Sequence, residues 1–152
     1  MRHAIALAFA IPCLFLGALA SSGRAEDMVD QREQVFRTEA EKAFVFDQMR
    51  LLLNSITEIE EGLGTGDLNL VAREAAARGR KANMTLARPP SLAAKESEAW
   101  KAMFLSVRNG FDAVADQAQA HAPAATINKT LADTMRNCVA CHQTYRVSIE
   151  AR

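Results

Sequence analysis

The sequence predicts an all-α fold, an antiparallel up-down-up-down four-helix bundle, on three observations. Apolar residues recur at steps of three and four in four separate segments. Short stretches carrying glycine or proline divide those segments, and short links favour antiparallel neighbours. Aromatic residues make up only 6% of the chain, with one Trp and one Tyr, while alanine is abundant. Strands favour aromatic and β-branched residues, so this composition leans helical. A length of 152 residues suits one such domain.

The first helix is expected from about Asp30 to Glu61, with Val45, Met49, Leu52, Ile56, Ile59 and Leu63 on one face and Phe36, Phe46 and Leu53 widening the stripe. Gly62, Gly64 and Gly66 stop it, and Asp67 is a cap for the next helix. The second segment, about Leu68 to Ala87, has a thin apolar face of Leu70 or Val71, Ala75, Met84 and Leu86, and Pro89-Pro90 ends it. The third follows Ser91 as cap and places Trp100, Met103, Val107, Phe111 and Val114 inward, supported by Phe104. After Ala122-Pro123, Thr126 caps the fourth. Its stripe runs through Ile127, Leu131, Met135, Cys138, His142, Tyr145 and Ile149. No segment is read as a strand.

Residues 1–25 read as a cleaved secretory signal peptide: a short basic start, an uncharged run from Ala4 to Ala20, then small-residue cleavage sites at Ala18-Leu19-Ala20 and Gly23-Arg24-Ala25. A membrane anchor is the competing reading, but the run is short of about 20 residues and Pro12 interrupts it. The domain is then 26–152, exported to the periplasm, with no stable membrane span after cleavage. Cleavage takes two of the 18 basic side chains, Arg2 and Arg24, and none of the 18 acidic ones, so a neutral chain becomes one of net charge −2. Such a balance argues against nucleic-acid capture, which needs a basic face. Cleavage also removes Cys13, leaving only Cys138 and Cys141 of the 3 cysteines.

Cys138-Val139-Ala140-Cys141-His142 carries the chemistry. C-x-x-C-H is the c-type haem attachment pattern. Two thiols one helical turn apart can form thioethers to neighbouring vinyl groups, and the following imidazole can turn under the ring to bind iron. A thiol-disulfide pair is a second reading, but such pairs sit at a helix start after a strand. A structural zinc site is a third, and would need two more ligands, whereas the exported chain adds only His121. The cofactor expected is one covalently attached haem c.

An exported helical chain with this motif near its C-terminus resembles the class II c-type cytochromes, the cytochrome c′ family. The local sequence from Cys138 to Tyr145-Arg146 is similar to that family's ending, C-x-x-C-H followed by an aromatic and an arginine. The resemblance implies a four-helix bundle with covalently bound haem between helices, Cys138 and Cys141 as tethers and His142 as proximal iron ligand. It also implies two versions of the other iron face. Low-spin members place a first-helix methionine there and transfer electrons to a redox partner protein. High-spin members leave it open and bind nitric oxide or carbon monoxide. Met49-Arg50 is similar to the methionine-lysine pair of the low-spin members, although Asp47-Gln48 stands where the family commonly carries Arg-Gln. Met49 is therefore the candidate distal ligand, against the plainer reading that it fills core. The family often forms homodimers through its first two helices.

Met84, Met103 and Met135 are read as core, Trp100 as a core anchor and His121 as an exposed loop residue. Tyr145 packs either on the haem edge or in the core. Arg146, one helical turn past His142, lies either by a haem propionate or in solvent. Glu58, Glu60 and Glu61, with Arg78, Arg80 and Lys81, read as solvated faces. Paired carboxylates and nucleophile–base arrangements are not visible, so the expectation is an electron carrier and not an enzyme.

Overall fold

A computed structural model describes residues 30–150 of the chain. The expected signal peptide, with Cys13, and Met28, which the sequence places in a frayed N-terminus, lie outside the described residues. The elements run β1 (Glu33–Arg37), α1 (Glu39–Thr65), α2 (Leu68–Ala76), α3 (Arg80–Met84), α4 (Glu98–Gln119), α5 (Ala124–Thr144) and β2 (Tyr145–Ile149), with one 3-10 turn at Ala93–Lys95. The domain is mostly helical, as expected. No described helix is long and apolar enough to cross a membrane.

α1 begins at Glu39, later than the expected Asp30. Thr38 forms a capping box there: its hydroxyl accepts from the Glu41 N–H at 3.2 Å, and the Glu41 carboxylate accepts from the Thr38 N–H at 2.9 Å. Gly66 closes α1 at φ 76°, a left-handed conformation that costs glycine little. Asp67 then caps α2, accepting from the Leu70 N–H at 2.9 Å, as its position in the sequence suggested.

Residues 68–87 are not one helix. α2 stops at Ala76, and α3 resumes only briefly after Gly79. A Cβ at Gly79 would fall 1.8 Å from an Asp112 carboxylate oxygen, and that carboxylate accepts from the Arg80 N–H at 3.1 Å. The break thus lets α4 approach the chain closely. It also removes Met84 from the apolar face expected of it: the side chain is 80% exposed. Ser97, not Ser91, caps α4, accepting from the Trp100 N–H at 3.2 Å. α5 starts directly after Pro123, without a Thr126 cap.

The largest correction is at the two ends. Residues 33–37 and 145–149 form a parallel two-stranded sheet, Glu33 opposite Tyr145 through Arg37 opposite Ile149. Val35 and Arg37 are buried and Phe36 is exposed, an alternation of period two. In β2 the residue types alternate, Tyr145, Val147 and Ile149 with Arg146 and Ser148, but only Tyr145 is buried and the other four are half-buried. Tyr145 and Ile149 are four residues apart, a spacing that fits a helix face and a strand face equally, which is why the periodic reading carried the helix too far.

The main core gathers Ile59 from α1, Val71 and Ala75 from α2, Val107, Phe111, Val114, Ala115 and Ala118 from α4, and Ile127 and Leu131 from α5. α4 packs against α2 and α5, and α1 packs against α2, whereas α1 and α5 barely meet.

An ionic knot ties the strand ends to α1. The Lys95 ammonium donates to the Glu41 carboxylate at 2.8 Å and to that of Glu150 at 2.7 Å. The Ser91 hydroxyl donates to the other Glu41 oxygen at 2.5 Å. Glu41 is buried, and the hydrogen bonds from Lys95 and Ser91 hold its carboxyl down at about 2, against an ordinary value of 4.5. The folded chain therefore gives up this proton more readily than the unfolded chain. Its contribution to stability is complete above pH 4.5 and is lost as the pH falls toward about 2. Urea unfolding should show Glu41→Gln less stable than the parent at pH 7, with the gap closing as the pH is lowered through that window. An unchanging gap would mean that Glu41 acts by packing alone.

Candidate functional site

The weak α1–α5 contact leaves a cleft of about 360 Å³. α1 supplies Met49, Leu52 and Ile56 to one wall; α5 supplies Met135, Cys138 and His142 to the other. These positions follow from helical spacing, since residues three and four apart share a face. The rim is apolar as well: Leu53 is 64% and Val139 is 55% exposed. Apolar side chains left in solvent around a cleft mark a surface suited to an apolar ligand. The volume lies toward the small end of the range for cofactor sites, about 300–1,000 Å³.

The structure brings together Met49, Cys138 and His142, three of the four residues singled out from the sequence. The fourth, Cys141, is not among the cleft-lining residues. It packs against a small cluster of Val35, Trp100 and Tyr145. Positions 138 and 142 lie nearly above one another on a helix, and 141 is rotated to the side. Met49 also lines a second, narrower cavity of about 40 Å³, with Leu52, Trp100 and Phe104, so its side chain stands between two apolar spaces. The sequence assigns none of the other lining residues to a cleft: Leu52, Leu53, Ile56 and Met135 lie on apolar stripes and read as core, Arg50 simply follows Met49, and Val139 is a variable position of the motif. Met135 is exposed and not core.

Neighbouring residues separate the open readings. Tyr145 is buried with its ring 5.2 Å from that of Trp100, edge to face, so it takes the core position. Arg146 lies in β2 opposite Gln34, not one helical turn past His142. His121 is exposed, with φ 53° in the loop before α5. Arg32 donates to the His142 carbonyl at 3.1 Å, tying the approach to β1 onto the last turn of α5.

Cys138 and Cys141 are unpaired thiols. Burial pushes the acidity of both toward higher pH, and the neighbouring Cys138 adds to the effect at Cys141. Both lie near the C-terminal end of α5, where the helix dipole disfavours negative charge. Redox-active pairs need the opposite setting, because the thiolate is the nucleophile. Among the described residues, no group of three or more His, Cys, Asp or Glu converges as a metal-ion site. The donor set on the cleft walls is a thiol, an imidazole and a thioether, with a second thiol one turn along the same helix. These are the groups that a tethered, axially ligated haem uses. No family model, curated protein or solved structure matches this chain.

The raised thiols give a direct test. In the folded chain with both thiols free, iodoacetamide should alkylate Cys138 and Cys141 at pH 7 more slowly than in the same chain unfolded in urea. Faster alkylation in the folded chain would reveal an activated thiolate and favour the thiol-disulfide reading.

Proposed function

We propose that this chain is an exported, periplasmic haem c protein of the cytochrome c′ type that passes single electrons to and from a redox partner protein. The observation that carries this reading is the cleft in which Met49 faces Cys138 and His142. In the proposal Cys138 and Cys141 would hold the haem as thioethers, and His142 of α5 and Met49 of α1 would bind its iron. Haem c, when bound, supplies an iron that gains and loses one electron. The apolar walls of Leu52 and Ile56 exclude water and favour the less charged, reduced iron, as does a soft thioether ligand. Attachment at Cys141 requires its sulfur to leave the Trp100–Tyr145 cluster for the cleft. The protein is a carrier and not an enzyme.

The bundle is proposed to run up-down-up-down. What supports this is the brevity of two of its links, two residues between α1 and α2 and four between α4 and α5; the connection from α2 to α4 is longer and carries α3 and the 3-10 turn. Leu53 and Val139, exposed at the cleft rim, would lie at the haem edge where a redox partner docks. A homodimer through the first two helices belongs to the same family reading.

A second reading has one observation in its favour. Met49 lies between two cavities, so its side chain has room to turn away. The iron would then be five-coordinate, and Leu52 and Ile56 would wall a pocket for nitric oxide or carbon monoxide.

The protein made from its full gene alongside haem-attachment machinery decides between these. Haem should stay bound to the polypeptide after denaturation, and be lost from a Cys138→Ala/Cys141→Ala variant. The ferric protein should show a low-spin spectrum with the long-wavelength sulfur-to-iron band, and Met49→Ala should convert it to high spin. A high-spin parent that binds carbon monoxide readily would establish the five-coordinate version. A colourless product would overturn both.

A further inference from the structure

A separate cavity, of about 300 Å³, lies between α3 and α4 and is independent of the haem reading. Its wall carries four cationic side chains, Arg80, Arg88, Lys101 and Arg108, and one carboxylate, Glu96. Glu96 is already engaged by Arg88 at 2.8 Å. Among the described residues Lys101 pairs with Glu98 alone, an exposed contact of small energetic weight. The Arg80 side chain has no carboxylate partner among them, although its backbone N–H donates to Asp112 at 3.1 Å.

Arg108 is the unusual member. It is 2% exposed, and its Nη1 donates to the Arg78 carbonyl at 2.8 Å. Nε and Nη2 have no hydrogen-bond partner among the described residues. Those two N–H groups form one edge of the guanidinium, the fork that takes two oxygens of an oxyanion at once. Phe104 lies against the guanidinium plane, 4.6 Å from ring centroid to Cζ, and helps to hold its orientation. Burial and the nearby charges of Arg78 and Arg88 push Arg108 down to about 10, so it remains charged at neutral pH. A buried charge with an empty fork and like-charged neighbours is costly unless an anion compensates it.

Arg37 sharpens the comparison. It is equally buried, with the same two nitrogens unpartnered. Its cavity, however, carries Glu33 and Glu150 beside Lys95, so the local charge is already met. At Arg108 it is not.

We propose that the α3–α4 cavity binds a phosphate-type dianion, free or as a phosphomonoester, seated on the Nε/Nη2 edge of Arg108 with Arg80 and Lys101 at the rim. The surplus of positive charge favours a dianion over a single carboxylate. The fork itself is covered, so seating requires a side chain to yield.

Isothermal titration calorimetry of the purified full-length protein, with haem if it carries one, at low ionic strength and free of other oxyanions, tests this with inorganic phosphate and with glycerol phosphate. One saturable site is expected. Tighter binding of phosphate assigns the free anion, and tighter binding of the ester assigns a phosphomonoester. Arg108→Lys keeps the charge but removes the fork, and should weaken binding by about tenfold. Should that variant fail to fold, Arg80→Gln is the independent measure: it is expected to weaken binding about threefold with an unchanged melting temperature. The absence of saturable binding overturns the proposal. So does equal affinity in the parent and in every folded variant, which would mean an adventitious ion only. A change in the visible spectrum that tracks the whole isotherm also overturns it, by placing the anion at the iron.

Discussion

The packing of α4 against both α2 and α5 limits where every other element can lie. Phe111, Val114 and Ala118 on α4 are almost wholly buried, and Ile59, Val71 and Leu131 complete the same core from three other helices. α1 reaches that core largely through its C-terminal half, by way of Ile59 and its contact with α2. Its N-terminal half has no comparable anchor on α5. The cleft between α1 and α5 is the geometric result: two helices held by a shared neighbour and not by each other. Met49, in the freer half of α1, lies where an apolar occupant could complete the packing.

The strand pair and the Lys95 knot act on the same half of α1 from the other side. β2 follows α5 directly, so its pairing with β1 fixes the end of the helix that bears Cys138, Cys141 and His142. Glu41 joins Lys95 and Ser91 just after the Thr38 cap, which anchors the start of α1 to the turn before α4. A buried carboxylate and its ammonium are expensive to desolvate, and three hydrogen bonds to Glu41 offset that cost. The arrangement defines position as much as it adds stability. It sets the distance between the two walls of the cleft without filling it.

Charge is distributed unevenly around this frame. The knot places carboxylates on Lys95 from α1 and from the residue after β2, whereas the α3–α4 cavity gathers guanidinium groups around one carboxylate that is already engaged. A net charge near zero therefore conceals a local excess beside α4. The composition of the chain could not reveal it, because Arg80, Arg88 and Arg108 come from a short helix, a loop and the middle of α4.

Helical class, the Asp67 cap and the inward faces of Trp100, Val107, Phe111 and Leu131 were legible in the sequence, since periodicity and capping are local properties of the backbone. The same locality misled at Tyr145 and Ile149, whose spacing suits either secondary structure, and at Met84, whose expected helix was broken by the close approach of Asp112 to Gly79. Strand pairing between the two ends of the domain depends on residues more than a hundred positions apart, which no local pattern reports. The sequence by itself determined the thiols, the imidazole and the helix that carries them. Only the tertiary structure decided that Met49 faces Cys138 and His142 across a cleft while Cys141 rests beside Trp100. Helix spacing sets which residues share a face, but what that face meets is set by packing over the whole chain.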